Sequence, residues 1–275
     1  MLRAPYKKYT DLYIYNVNTS NIQIDDEDLI GIWKDEGTSL IFFHKNKHHL
    51  FKELESKGVK VIFFNKIPYH QWESGKYIKA FKIGEIVIKP EWEKEKNDDL
   101  TKTIYIDPSV AFGSGFHPTT KMILESFYNL KKNEKIESCV DFGCGTGILS
   151  IFAAKMGVKN IKAIDNNNLA VEVCKKNREL NNFFNIQVFE DNIFNHIPVK
   201  TDTVFANLYY HLLEDLFQLN GFWSAKYYFV SGFVKNMEEK ILKNIPSFID
   251  IAEKRENDQW IMILLKNNNY KGERI

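Results

Sequence analysis

The stretch Ser138-Cys139-Val140-Asp141-Phe142-Gly143-Cys144-Gly145-Thr146-Gly147 narrows the possible folds more than any other part of the chain. An apolar run that breaks into alternating glycines and then into the helical pattern Ile148 to Met156 reads as a buried strand, a tight turn and a helix start. Glycines so placed let backbone approach a ligand, and the free amides of a helix start face the same spot. The expectation is a nucleotide-like site, and the plain alternative is a tight turn that binds nothing. A dinucleotide fingerprint wants glycines at its first, third and sixth positions, whereas here the third glycine comes one residue early. Asp141 stands just ahead of the turn. Asp165 ends the next apolar run, Ile161 to Ile164, at a strand tip where a carboxylate can accept both ribose hydroxyls. That supports a nucleoside without choosing which cofactor carries it.

The surrounding chain alternates strand and helix. Ile104 to Ile106 is followed by the glycine loop of residues 107–117, then by a helix from Pro118 to about Asn129 with Met122, Ile123, Phe127 and Leu130 inward. After the turn come a helix at 169–181, strands at 186–189 and 203–206, a helix at 210–219, a strand at 227–230 and a helix at 234–245. Repeated βα units predict an α/β fold with a parallel, doubly wound sheet. Residues 248–254 and 260–265 flank Glu256, Asn257 and Asp258 as an antiparallel hairpin.

Residues 1–66 predict a small α+β domain: a strand at 12–17, a hairpin at 29–33 and 39–43, a helix at 48–57 and a strand at 59–64. Residues 67–100 read as a linker and flexible joint whose rings, Tyr69, His70, Trp72, Tyr77 and Phe81, pack against the main domain of residues 101–275. With 275 residues, 44% hydrophobic, the chain can bury a sizeable core. The net charge is +1 and residues 1–100 balance 16 basic against 16 acidic side chains, so no basic face for nucleic acid or membranes is expected. Three cysteines without C-x-x-C spacing read as reduced thiols, and neither a signal core in Met1 to Thr10 nor a membrane-length apolar run is present, so a cytoplasmic protein is expected. His44, His48 and His49 lack carboxylate or thiol partners at ligand spacing, so no metal is expected.

The order strand, Asp, GxGxG, helix, strand, Asp resembles the cofactor motif of class I S-adenosylmethionine methyltransferases, which place an antiparallel hairpin at the edge of a seven-stranded Rossmann-like sheet. Asp107 to Thr120 with AFGSGFHPTT, Val140 to Ser150 with VDFGCGTGILS, Ala163 to Asp165, Ala206-Asn207-Leu208 and the Ala252 to Glu256 run before Trp260 narrow the resemblance to PrmA, the methyltransferase of the eleventh large-subunit ribosomal protein. The similarity reaches upstream through Gln71-Trp72-Glu73 and Trp92. It implies cofactor contacts by Thr120, Gly143, Asp165 and Asn207. To these the local context adds Gly145, Asp141, Phe112 and Asp191 or Asn192, the last pair at an adenine edge. Two departures fall on the substrate side. The family's βαββαβ recognition domain has a first helix for which Asn18 to Asp28 is too short and polar, and Tyr209, Tyr210 and His211 stand where small or aliphatic residues are usual.

The resemblance implies transfer of a methyl group from S-adenosylmethionine to lysine ε-amines or an N-terminal α-amine, leaving S-adenosylhomocysteine, with a ribosomal protein as partner, no direct nucleic-acid contact and a monomeric enzyme. Asn207 is expected to orient the amine, with Tyr209 and Tyr210 as an apolar wall. His117 is the nearest candidate base, and a helix-entry histidine satisfied by backbone is its alternative. Competing readings are a methyltransferase of glutamine amides or nucleic-acid bases, because Asn207-Leu208-Tyr209-Tyr210 keeps the ends of an N-P-P-Y motif, and a non-catalytic S-adenosylmethionine-binding protein. A nicotinamide oxidoreductase is a distant fourth.

Overall fold

The structure, a computed structural model, describes residues 8–72 and 77–272. Glu73 of the upstream resemblance and residues 1–7 of the amino-terminal stretch lie outside the described residues. Strands β1 (Asp11–Val17), β2 (Leu29–Asp35) and β3 (Thr38–Phe43), helix α1 (His48–Glu55) and strand β4 (Val61–Pro68) build an antiparallel sheet in the order β2-β3-β1-β4. That is the order of a split βαββαβ unit lacking its first helix. Residues 18–28 form none, and Ile22 and Ile24 from this stretch join the cluster of Tyr15, Val17, Ile41 and Phe43 under Phe51 of α1. Strand alternation sends Leu12, Ile14 and Phe42 to the opposite face, where they meet Leu169, Ala170 and Val173 of the main domain.

The stretch read as a linker is more structured than that. Strands β5 (Phe81–Ile83) and β6 (Ile86–Pro90) form a hairpin, and β6 pairs in parallel with β7 (Thr103–Ile106), giving a three-stranded sheet. Ile83, Ile86, Ile88, Ile104 and Ile106 are all buried in the core of the main domain. Of the expected rings, Tyr69 is buried and Phe81 meets Phe116 edge to face with centroids 5.3 Å apart, whereas Tyr77 is 74% exposed and lies against His70.

The main domain continues through α2 (Pro118–Asn133), β8 (Ser138–Phe142), α3 (Ile148–Lys155), β9 (Asn160–Asp165), α4 (Asn168–Leu180), β10 (Ile186–Glu190), β11 (Thr203–Asn207), α5 (Tyr210–Phe217), β12 (Tyr227–Val234), α6 (Glu238–Lys243), β13 (Ile249–Asn257) and β14 (Trp260–Asn267). Seven strands lie in the order β10-β9-β8-β11-β12-β14-β13. The first five are parallel, and the expected hairpin inserts β14 antiparallel to β12. One face packs on α2 and α3 through Phe127 and Phe152, the other on α5 and α6 through Leu213 and Ile241. The helix expected over 234–245 is shorter, because β12 runs on past a register shift between Ser231 and Phe233 until Val234 pairs with Trp260. Chain direction across the sheet reverses between β8 and β11, which opens a crevice beyond their carboxyl ends, the place where doubly wound sheets bind ligands.

Candidate functional site

At that crevice the glycine turn is stitched to the next strand, with the amides of Gly143 and Cys144 both donating to the Ile164 carbonyl at 2.8 and 3.1 Å. The Gly145 amide donates to Asp165 Oδ2 at 3.0 Å and the Asn167 amide to Oδ1 at 2.9 Å. The carboxylate is thereby fixed in direction, with lone pairs left over for hydroxyl donors. Burial raises its pKa above the usual carboxylate value, against the effect of these amides.

The structure gives the glycines a second reason. A Cβ at Gly145, where φ is +53°, would sit 2.2 Å from the Phe112 carbonyl oxygen. What approaches the turn so closely is therefore the glycine loop as well as any ligand. Thr146 donates its amide to Phe112 O at 2.9 Å and its hydroxyl to Gly113 O at 2.5 Å. From outside, Tyr69 Oη donates to Ser109 O at 2.5 Å and Trp72 Nε1 to Val110 O at 3.1 Å. Tyr9 Oη donates to Asp107 Oδ1 at 2.9 Å, and Lys176 pairs with the same carboxylate. The loop is thus pinned from both sides.

Beyond the loop, His117 caps α2, its Nδ1 accepting from the Thr119 amide and lying 2.7 Å from the Thr119 hydroxyl. Its ring stands edge to face with Phe112 and Trp260, and burial lowers its pKa, so it is neutral at pH 7. The helix-entry alternative describes it better than a base does. Asn207, at the tip of β11, donates Nδ2 to Thr120 Oγ1 at 3.3 Å, while its buried Oδ1 has no hydrogen-bond partner. An orphaned acceptor of this kind costs about 1–3 kcal/mol of desolvation unless a ligand supplies a donor.

These groups share one cavity of about 650 Å³, lined by Phe112, His117, Gly143, Gly145, Asp165, Asn207 and Tyr209 among the expected residues. Three others stand apart. Thr120 is buried behind Asn207 and reaches the cavity only through that amide. Asp141 lies behind the turn, where it accepts from the amide and hydroxyl of Ser150, and burial pushes its pKa up to about 7. Asp191 turns to the Asn192 amide, Asn195 and His196, and its neighbour Asn192 faces the cavity in its place. Tyr210 is likewise no wall, since its hydroxyl goes to Glu214. Sequence reasoning did not find Trp260, Glu190, or Trp33, Lys34 and Asp35 of β2, all of which line the cavity. Their approach depends on pairing and packing far apart in the chain, which leaves no local signal. Among the described residues no cluster of His, Cys, Asp and Glu could hold a metal ion, and no helix is long and apolar enough to cross a membrane.

Comparison with known proteins gives the chain's likenesses. A family model described as ribosomal protein L11 methyltransferase (PrmA) matches residues 6–268. The ribosomal protein L11 methyltransferase of Thermoanaerobacter pseudethanolicus is 35% identical over 225 residues, covering 77% of this chain and 71% of that one. The protein of the same name from Caldanaerobacter subterraneus subsp. tengcongensis is 31% identical, covering 78% and 72%. Among solved structures, the ribosomal protein L11 methylase of Lactobacillus delbrueckii subsp. bulgaricus superposes with a TM-score of 0.59 at 24% identity, over 70% of this chain and all of that one, a likeness of fold.

Proposed function

The chain belongs to the ribosomal protein L11 methyltransferase (PrmA) family, and from that premise we propose that it methylates amines of ribosomal protein L11, lysine ε-amines or the N-terminal α-amine, at the cavity beyond β8 and β11. The observation that carries this reading is that one cavity is lined both by Asn207, whose buried Oδ1 has no hydrogen-bond partner, and by the oriented Asp165 carboxylate. S-Adenosylmethionine, when bound, supplies a methyl group already activated on a sulfonium, so the protein's share of the work is alignment and desolvation.

Asp165 would take the ribose hydroxyls, the Gly143–Gly145 turn the backbone of the methionyl part, and Asn192 and Glu190 the base. The residues present fit such a group: an orphaned acceptor, a fixed carboxylate and a cavity of nucleoside size meet in one place. An amine with a reference pKa near 10.4 is neutral in only about one molecule in a few thousand at pH 7. Asn207 would accept one N–H of the amine and turn its lone pair toward the donor, while Trp260 beside it would limit water and favour the neutral form. With the His117 Nδ1 engaged by Thr119, the substrate ammonium would lose its proton to water before attack, and the methylated product would leave as the ammonium.

The amide-or-base alternative loses support here. Tyr210, which should stack on a planar nitrogen group, is held by Glu214 away from the cavity. The deciding experiment incubates the protein with labelled S-adenosylmethionine and ribosomal proteins from the same cell. Label in L11 is expected. Label in another protein replaces the substrate, and no label together with no affinity for S-adenosylhomocysteine sinks the reading.

A further inference from the structure

We infer that Trp33, from the small amino-terminal sheet, closes the nucleoside end of the methyl donor's cavity, and that Gly31 is what lets that sheet seat closely enough for it to do so. The inference rests on the reading of this cavity as the donor's site. Strand β2 meets the main domain at the first turn of α4. A Cβ added at Gly31 would lie 2.4 Å from Leu169 Cδ1, and Leu169 is itself buried among Ile30, Phe42, Val110 and Val173, with little room to turn away. The strand is flush with the helix only because position 31 has no side chain.

Residues two apart on a strand share a face. Trp33 therefore projects from the same side as Gly31, one step further along, and is among the residues that line the cavity. The α4 turn it overlooks starts directly after Asp165 and carries Asn166, Asn167 and Asn168 along the same wall. Trp33 remains 37% exposed, a large ring left open to solvent at the edge of a site that also holds the Asp165 carboxylate. An aromatic face beside a purine is a stacking surface, worth about tenfold in affinity. The ligand class it selects is a purine nucleoside, and affinity at the site becomes linked to the seating of the small sheet.

The test measures S-adenosylhomocysteine affinity by calorimetry on the full chain for wild type, Trp33→Ala, Trp33→Phe and Gly31→Val, with circular dichroism confirming the fold of each. Trp33→Ala should bind about tenfold more weakly and Trp33→Phe only about threefold more weakly. Gly31→Val, which keeps the indole but lifts the strand, should match Trp33→Ala. Part of the tryptophan fluorescence change seen when wild type binds should vanish in Trp33→Phe. Wild-type binding with Trp33→Ala within twofold of it overturns this inference and leaves the function standing. If wild type itself does not bind, the donor-site reading falls first and takes the inference with it. Should Gly31→Val fail to fold, Trp33→Ala alone decides.

Discussion

The wall of the cavity formed by the tips of β8, β9 and β11 is made of main chain, whereas the wall contributed by β2 is made of side chains borrowed from another sheet. On the first wall, amides and carbonyls of consecutive residues lock the turn to the next strand and to the glycine loop. On the second, position depends on how closely one strand lies against α4. The first is held by bonds within the main domain, with the glycine loop behind it also tied to Tyr69 and Trp72. The second exists only while that sheet is seated.

The contrast fails if the two walls respond alike to substitution. Gly145→Val should have the largest effect, because a branched side chain at φ +53° also collides with the Phe112 carbonyl. At least about 2 kcal/mol of stability and all measurable donor binding should be lost, read by thermal unfolding and calorimetry. Next comes Asn207→Ala, for which a turnover about a hundredfold lower is expected at saturating donor, with S-adenosylhomocysteine affinity changed far less. Normal turnover would remove Asn207 from the chemistry. The tenfold loss expected of Trp33→Ala is third and falls on affinity, not on turnover.

The smallest effect lies at Glu91, near Lys176 and Asp107 behind the glycine loop. Burial pushes Glu91 up to about 7 from a usual 4.5, and its Oε2 has no hydrogen-bond partner. The folded protein thus holds a proton there that the unfolded chain releases. This contribution is fully present below about pH 4.5 and lost as pH rises through about 7. Asp141 has the same sign, its pKa rising to about 7 from 3.8. Glu91→Gln should therefore flatten the fall in stability between pH 5 and 8 without abolishing it. At pH 8 it should gain on the order of 1 kcal/mol, allowing for the solvent on the open side of Glu91. Denaturant unfolding at the two pH values would check it.

The main-chain wall was legible in the sequence, since alternating glycines between an apolar run and a helix pattern have few other uses, with Asp165 at the tip of the next strand and Asn207 at the tip of β11. The reason for one glycine was not legible: at Gly145 the crowding comes from the Phe112 carbonyl, 33 positions upstream of it along the chain. Ring packing by Tyr69 was expected, but the pairing of β6 with β7 was not, because parallel partners 16 residues apart leave no turn signature between them. Trp33 was invisible for the same reason, being one more large residue in a hairpin until α4 is placed beside it. Asp141 was misjudged by position alone. Strand alternation turned it toward Ser150, behind the turn it precedes.

The two hydrogen bonds from Tyr69 and Trp72 to consecutive carbonyls of the glycine loop carry a mechanical consequence. Both donors follow immediately on β4, so swinging the small sheet outward means breaking them, at about 1 kcal/mol each, and drawing Leu12, Ile14 and Phe42 off the main domain. Two hydrogen bonds and an apolar face thus oppose an outward swing at the expected joint. If it stays shut through a catalytic cycle, a substrate bearing several amines is served by letting go and re-presenting itself, so partly modified products should build up before complete ones.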